Sequence, residues 1–211
     1  MNQAIADIIR GHIEAVIPGW LDKISGLVAA ISIEQRGPDN TTVIKTFPVA
    51  CCVSADDCKE GAYNDLMPNS AYKSVIYFED KGIRFTSARG KFKYYTSNIR
   101  LVGWLNIAKI LGTDCGSEIP CTYAAHVVAE IIRAIPQFPA NISPFAQVIS
   151  EVIDQEPRSN AIFSRYSYNE VHSQYLMAPY DYFALNIRTD FAICLDENTV
   201  YSAICDERIS P

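Results

Sequence analysis

Residues 73–87 have the sequence KSVIYFEDKGIRFTS, in which two β-rich runs lie on either side of Asp80-Lys81-Gly82. Val, Ile, Tyr, Phe and Thr favour strands, so 73–79 and 83–87 are predicted to be strands. An Asp and a Gly between such runs are typical of a tight reversal. The stretch therefore predicts a β-hairpin with its turn at 80–82.

Further strand patterns flank this hairpin. Residues 31–33 alternate between apolar and polar, turn residues follow at 36–40, and residues 41–53 are again β-rich, which predicts a second hairpin. Pro48 lies in its second arm and favours an edge strand or a bulge. A turn near Arg89-Gly90 leads into a strand over 92–104, where Gly103 suggests a bulge. A closing hairpin is predicted over 180–206, with its turn at 196–198.

Helical patterns occur at four places. Residues 3–17 carry isoleucines three and four apart and predict an amphipathic helix, and a short helix is predicted from Trp20 to Val28, so that 3–28 would form a helical arm. Residues 122–135 predict an internal helix that Pro136 ends. Ser143-Pro144 matches a helix start and predicts a second internal helix up to Glu156.

These elements predict the fold class. We expect one α+β domain over 1–211, with a mostly antiparallel β-sheet on which the N-terminal helix and two internal helices pack. The polar segment 54–71 is expected to be a long exposed loop, and 157–179 to be irregular.

Composition limits the function. Hydrophobic residues make up 49% of the chain and charged residues 20%, as in ordinary globular proteins. The formal charge of −6 argues against a general affinity for nucleic acids. We find neither a secretory signal nor a run of about 18 apolar residues, so a cytosolic protein without a membrane partner is expected.

The seven cysteines contain no CxxC pair, which argues against zinc ribbons and thioredoxin-like redox sites. We expect free, mostly buried thiols.

Catalytic motifs are missing from the sequence. The three histidines, His12, His126 and His172, show no metal-ligand spacing, and His172 is the best candidate for a general base. Cys58 and Cys115 are candidate nucleophiles without an identifiable base. The acidic pairs 56–57 and 196–197 could bind a divalent cation but fit solvated loops better. The prediction is a non-enzyme with no cofactor and no metal.

One charge pattern stands out between residues 81 and 100. Six basic residues occur there without an acidic residue and alternate with aromatic ones. Such a pattern suits a subunit interface or a single-stranded nucleic-acid site, where bases stack on aromatic rings. Because the whole chain is acidic, the pattern better fits a sheet whose aromatic residues pack inward while the cations face water. The basic residues are Lys81, Arg84, Arg89, Lys91, Lys93 and Arg100.

The order of elements resembles that of the small neck and tail-completion proteins of tailed bacteriophages, the tail-terminator type in particular. The resemblance rests on the helix 4–17, the β-meander after it, the helix 122–135 and the closing segment PYDYFALNIRTD at 179–190. It includes no diagnostic residues.

This resemblance implies a homo-oligomeric ring in the virion, next to other virion structural proteins and assembled in the host cytoplasm. It implies no catalysis and no cofactor, and DNA only as a passing content of the ring lumen. The basic segment 81–100 and acidic loops at 54–60 or 196–207 would supply complementary lateral surfaces. The alternative is a single-stranded nucleic-acid-binding module that uses 81–100.

Overall fold

The structure is a computed structural model that describes residues 1–16, 19–37, 39–50, 66–112, 123–135, 140–142, 145–156, 160–167 and 174–194. Its helices are α1 (Asn2–Val16), α2 (Ile107–Leu111) and α3 (Tyr123–Ala134). Its strands are β1 (Lys23–Arg36), β2 (Thr42–Ala50), β3 (Ser74–Arg89), β4 (Phe92–Asn106), β5 (Ala140–Ile142), β6 (Phe145–Glu156) and β7 (Tyr180–Cys194). Short 3₁₀ turns occupy Asn160–Phe163 and Gln174–Leu176.

The strands form one seven-stranded sheet in the spatial order β2-β1-β3-β4-β7-β6-β5. Neighbouring strands are antiparallel except β1 and β3, which run parallel from Lys23 opposite Val75 to Val28 opposite Glu79. The predicted α+β class with a mostly antiparallel sheet is confirmed. The strand β2, which contains Pro48, lies at the edge of the sheet as predicted.

Helices α1 and α3 cover one face of the sheet, called here the helical face. Ile5, Ile9 and Ile13 of α1 recur at helical spacing and are fully buried where α1 packs on strands β1, β3 and β4 and on helix α3, which explains why this sequence forms a helix here. At the start of α1, the side chain of Asn2 accepts a hydrogen bond from Ser97 Oγ at 2.7 Å and donates one to Asp80 Oδ1 at 2.6 Å. These bonds fix the helix N-terminus to the sheet.

The opposite face, called here the loop face, is covered over only part of its length. Segments 66–72, 160–167 and 174–180 bury Val75, Tyr77, Val102 and Trp104 at one end of the sheet. The Trp104 indole donates a hydrogen bond to the Tyr175 carbonyl oxygen at 2.6 Å, so its polar atom is satisfied in the covered region. The other end of the loop face has no such cover among the described residues.

The hairpin predicted at 80–82 is wrong, because β3 runs without reversal from Ser74 to Arg89. Gly82 has a φ of +101° and donates its N–H to Asp80 Oδ1 at 2.7 Å, and β3 has one extra residue here relative to β4. Asp and Gly thus form a β-bulge instead of a turn. The actual reversal is the two-residue turn Gly90-Lys91, close to the turn predicted near Arg89.

Two predicted helices are also strands. The helix expected over Trp20–Val28 is wrong because β1 begins at Lys23 and pairs with β3; Leu27 and Val28 are buried on opposite faces of the sheet. The internal helix expected over Ser143–Glu156 is wrong because β6 pairs with β7 along almost its whole length. In both cases pairing within the sheet overrides the local apolar spacing, which suits a short helix or a strand.

The other predicted elements have separate outcomes. The N-terminal helix, the helix at 122–135 and the hairpin of β1 with β2 are confirmed, and β7 confirms the first arm of the closing hairpin. The second arm at 199–205 and residues 54–65 of the predicted loop lie outside the described residues. Leu66 and Met67, at the end of that loop, are buried rather than exposed.

Gly103 lies opposite Ile76 and Phe183 without a register shift, so the predicted bulge there is wrong. A Cβ atom at this position would lie 2.7 Å from Phe183 Cε1, inside the buried core. The glycine therefore makes room for the Phe183 ring.

We expect Gly103→Ala to lower the free energy of unfolding by about 1–3 kcal/mol, because the buried Phe183 ring must move. Gly11→Ala is the matched control: Gly11 is an exposed residue of α1 whose Cβ would contact nothing within 4 Å. That substitution should stabilise the protein by about 0.5–1 kcal/mol. Urea unfolding of both variants measures the two effects, and an unchanged Gly103→Ala variant would contradict this packing argument.

Candidate assembly surface

Strands β1 and β3 separate beyond Val28 and Glu79, the last residues that pair between them. Among the described residues no pairing joins β1 to β3 past this point, although both strands continue. The bulge at Asp80–Gly82 begins at the next residue of β3, and bulges bend a strand and increase its twist. One side of the division is a hairpin, here called the β1–β2 finger, made of Ala29–Arg36 and Thr42–Val49. The other side is the outer edge of β3 over Ile83–Arg89, here called the β3 edge.

Exposed apolar side chains concentrate on these two features. Of the ten large hydrophobic side chains that are exposed in the described part of the chain, three lie on the finger and two on the β3 edge. Ile44 and Phe85 are 63% and 54% exposed. Side chains of this kind usually pack inward, so the finger and the β3 edge are the candidate contact surface in the described part of the chain. The five are Ile31, Val43, Ile44, Ile83 and Phe85.

The predicted basic segment does not form one surface. Arg100 is buried, and Lys81 lies 3.3 Å from Glu79 Oε2 in an ion pair. Arg84 lies opposite Thr96 on the loop face, whereas Lys93, three residues before Thr96, is on the helical face. Arg89 is exposed at the end of β3, and Lys91 is in the turn that follows. The structure therefore distributes the six cations over two faces, a turn and the interior.

Three side chains of the loop face form an ionic cluster that the sequence analysis missed: Glu79 and Arg100 are buried, and Glu156 is partly buried. Arg100 Nη1 donates to Glu79 Oε2 at 3.2 Å, its Nη2 donates to Glu156 Oε2, and Nη1 also contacts the carbonyl oxygen of Ile162 at 3.4 Å. Asn186 Nδ2 donates to Glu156 Oε1 at 3.1 Å. The cluster joins β3, β4, β6, β7 and the 3₁₀ turn. A signal existed in the sequence: Glu79 ends a run of buried-strand residues and so needs a cationic partner.

Tyr166 completes this cluster from the covering segment. Its hydroxyl donates to Glu79 Oε1 at 2.8 Å. Burial, followed by the adjacent Glu79 charge and this hydrogen bond, raises the pKa of Tyr166 well above its ordinary value. Burial opposes the charge of Glu156, but hydrogen bonds from Arg100 and Asn186 outweigh it and lower the pKa of Glu156. The cluster is thus a structural ion network whose donors and acceptors face each other.

Beside the cluster, the uncovered end of the loop face forms a groove of about 390 Å³. Side chains from β3, β4, β6 and β7 line it, among them the polar Thr86, Thr96 and Gln147 and the apolar Ile149. Two arginines line it: Arg89, which is exposed, and Arg188, which lies 2.8 Å from Asp190 and 3.4 Å from Glu151, so that these carboxylates balance the charge of Arg188. The groove has little excess positive charge for a phosphate backbone.

The helical face of the same region carries a row of aromatic rings. Phe85 lies edge-on to Tyr95 at 5.6 Å between centroids, Tyr95 stacks on Phe191 at 5.5 Å, and Phe191 contacts Phe145 at 4.9 Å. Three of these rings are buried or half-buried, and only Phe85 at the end of the row is exposed. The row is therefore mainly an internal packing feature that ends at the β3 edge.

The remaining candidate residues do not assemble into a catalytic site in the described part of the chain. His12 and His126 are exposed residues of α1 and α3, and His172, Cys58, Cys115 and both acidic pairs lie outside the described residues. Among the described residues no group of three or more His, Cys, Asp or Glu side chains could hold a metal ion. Cys194 is buried and disulfide-bonded, so the expectation of free thiols is wrong for this residue.

Comparisons of the chain with protein-family models and with curated protein sequences find no match. None of the described helices has the length and apolar character required to cross a bilayer.

Replacing Arg100 tests the ionic cluster. We expect Arg100→Met to cost about 3–5 kcal/mol of unfolding free energy, because Glu79 would keep a buried charge without its main partner. Adding Glu79→Leu to this variant should recover part of the loss. Arg188→Met is the matched control, since its ion pairs are exposed, and it should change stability little. Urea unfolding of the three variants decides the matter, and equal effects of Arg100→Met and Arg188→Met would contradict the cluster's role.

Tyr166 predicts a dependence of stability on alkaline pH. Its folded-state pKa lies above the ordinary value of 10.0, so the unfolded chain releases the proton first. This contribution is therefore fully present below pH 10 and is lost as the pH rises towards the folded-state pKa, by about 1.4 kcal/mol at pH 11. Tyr166→Phe should be less stable at pH 7 but show a shallower decline above pH 10. Urea unfolding between pH 7 and 11 measures this difference, and parallel curves would refute it.

Proposed function

We propose that this protein is a structural subunit of an oligomeric ring in the neck or tail of a tailed-bacteriophage virion, similar to the tail-terminator type. The observation that carries the proposal is the concentration of exposed apolar side chains on the β1–β2 finger and the β3 edge. The ring would consist of copies of this chain next to other virion structural proteins. Assembly would take place in the host cytoplasm, with DNA only passing through the lumen.

The finger has features that suit contact with a neighbouring molecule. Its register places Ile31, Ile33 and Val43 on the helical face in adjacent or diagonal positions, while Ile44 is on the opposite face next to Glu34. Both faces of the outer part of the finger are thus exposed and partly apolar, whereas Phe47 and Val49 at its base are buried. Burying these side chains against a second molecule would stabilise the association by about 25 cal/mol for each Å² of apolar surface removed from water.

The virion assignment rests on the order of elements. The described chain has an N-terminal helix, the strands β1–β4, the helix α3 and the strand β7 that begins after Pro179, and this order supports the resemblance. The strands β1–β3 do not form the β-meander of the resemblance, because β1 lies between β2 and β3 and runs parallel to β3. A ring subunit needs surfaces for its neighbours but neither a catalytic group nor a cofactor.

Single-stranded nucleic-acid binding remains the alternative, and the geometry favours it less. Arg84 and Lys93 lie on opposite faces, Arg100 is buried, and Arg188 in the groove is balanced by carboxylates. A continuous path of cations and exposed rings is what such a site requires.

Light scattering on a sizing column at two salt concentrations tests the proposal. We expect a discrete oligomer at both, because apolar contacts contribute to the association. Ile31→Asp combined with Ile44→Asp should shift the oligomer to smaller species without unfolding the chain. Met177→Asp is the matched control, since Met177 is 68% exposed and lies near the start of β7, at the opposite end of the sheet.

A wild-type protein that stays monomeric at high concentration and at both salts would contradict the ring. Salt-sensitive binding of a single-stranded oligonucleotide by that monomer would favour the alternative.

A further inference from the structure

Besides the edges of the β1–β2 finger, the sheet has two long strand edges without a partner strand in the described part of the chain. One is the β3 edge, Ile83–Arg89, which pairs with β4 on its inner side and does not pair with β1 on its outer side. The other is the outer side of Ile149–Glu156 in β6, here called the β6 edge. Strand β5 pairs with β6 only at Phe145 and Val148 and leaves this edge uncovered. Each edge presents backbone N–H and C=O groups that can accept another strand.

The two edges carry opposite charges. Arg84 and Arg89 are exposed on the β3 edge, which has no acidic residue. Glu151 and Asp154 are exposed on the β6 edge, which has no basic residue. The cross-strand register also puts them on one face: Arg84 is in the row of Thr96, Asp190 and Ile149, on the loop face with Glu151. If the two edges met, cations and carboxylates would lie side by side.

Apolar side chains accompany both sets of charges. Ile83 and Phe85 are exposed on the β3 edge, and Ile153 is 54% exposed at the bulge of the β6 edge. On the β3 edge, Ile83 and Phe85 lie on the helical face and Arg84 and Arg89 on the loop face, so an edge contact would combine apolar packing on one face with paired charges on the other.

The strand directions also agree. Between β3 and β6 the chain direction reverses at β4, at β7 and at β6, so β6 runs opposite to β3. Two copies placed side by side in the same orientation would therefore bring a β3 edge and a β6 edge together as an antiparallel pair. Such a contact is heterologous, leaves one edge of each kind free, and closes into a ring if the rotation between copies allows it.

We propose that the β3 edge of one copy pairs with the β6 edge of the next copy and continues the sheet from subunit to subunit. The occupant of each edge is thus a second copy of this chain, selected by the charges of Arg84 and Arg89 against Glu151 and Asp154. This inference rests on the proposed ring function and specifies its lateral contact.

Charge reversal on each edge tests the contact. One variant carries Arg84→Glu and Arg89→Glu, and the other carries Glu151→Lys and Asp154→Lys. Each variant alone brings like charges together at the interface, and we expect its self-association to weaken at least about a hundredfold by light scattering. The matched control combines Glu14→Lys and Arg133→Glu, which reverse exposed charges on α1 and α3, away from both edges. It should assemble like wild type.

Mixing the two variants is the decisive arm. The acidic β3 edge of the first variant then meets the basic β6 edge of the second, and the two wild-type edges meet in the alternate contact. Association should return to within about tenfold of wild type in the mixture while each variant alone stays dissociated. A structural defect in either variant would not be repaired by mixing, and circular dichroism checks that both are folded.

The outcomes separate the two proposals. A wild-type monomer at high concentration overturns the ring and with it this contact. A wild-type oligomer that both edge variants retain overturns the contact alone, and so does a mixture of dissociated variants that fails to associate. Loss in each variant with recovery in the mixture establishes the pairing.

Discussion

The buried ion pair between Glu79 and Arg100 sets the geometry on which the rest of the structure depends. It joins β3 to β4 at the last row where β1 still belongs to the continuous sheet. An uncompensated charge is costly in the interior, so this pair requires further polar partners. These are Glu156 from β6 and Tyr166 from the covering segment. The loop face is thus covered on one side of this row and open on the other.

The division of the sheet follows from the residues immediately after Glu79. Asp80 and Gly82 form a bulge that turns β3 away from β1, so that β1 and β2 continue as a separate finger. The same bulge exposes the outer edge of β3. Local chemistry that would be a turn in an isolated hairpin therefore creates both a projecting arm and an unpaired edge, the two features available for assembly.

Sequence patterns predicted the regular parts of this fold and failed where bulges interrupt them. The isoleucines of α1 keep helical spacing along the whole element, and α1 was predicted almost to its ends. In β6 the apolar residues form two adjacent pairs, 148–149 and 152–153, which mimic helical spacing, and Ile153 is the extra residue of the bulge between Val152 and Asp154. The basic segment was visible in the sequence, but its distribution over two faces depends on register. That register is fixed by the turn at Gly90-Lys91 and by the bulge at 80–82. Local propensity could not show which of these two segments is the turn and which is the bulge.

Unpaired edges usually carry a risk of indiscriminate pairing, and the charges here restrict it. Two β3 edges would bring Arg84 and Arg89 against their own copies, and two β6 edges would do the same with Glu151 and Asp154, so both symmetric pairings are repulsive. Only the unlike pairing of β3 with β6 is attractive. A pairing of two like edges would end growth at a dimer. The unlike pairing leaves one free edge at each end, so the sign of these charges favours extended or closed cyclic assemblies. Bulges at Phe85–Ser87 and Val152–Asp154 further limit the strands that can fit. In the proposed assembly, the charges that would select the neighbour would thus also determine the symmetry.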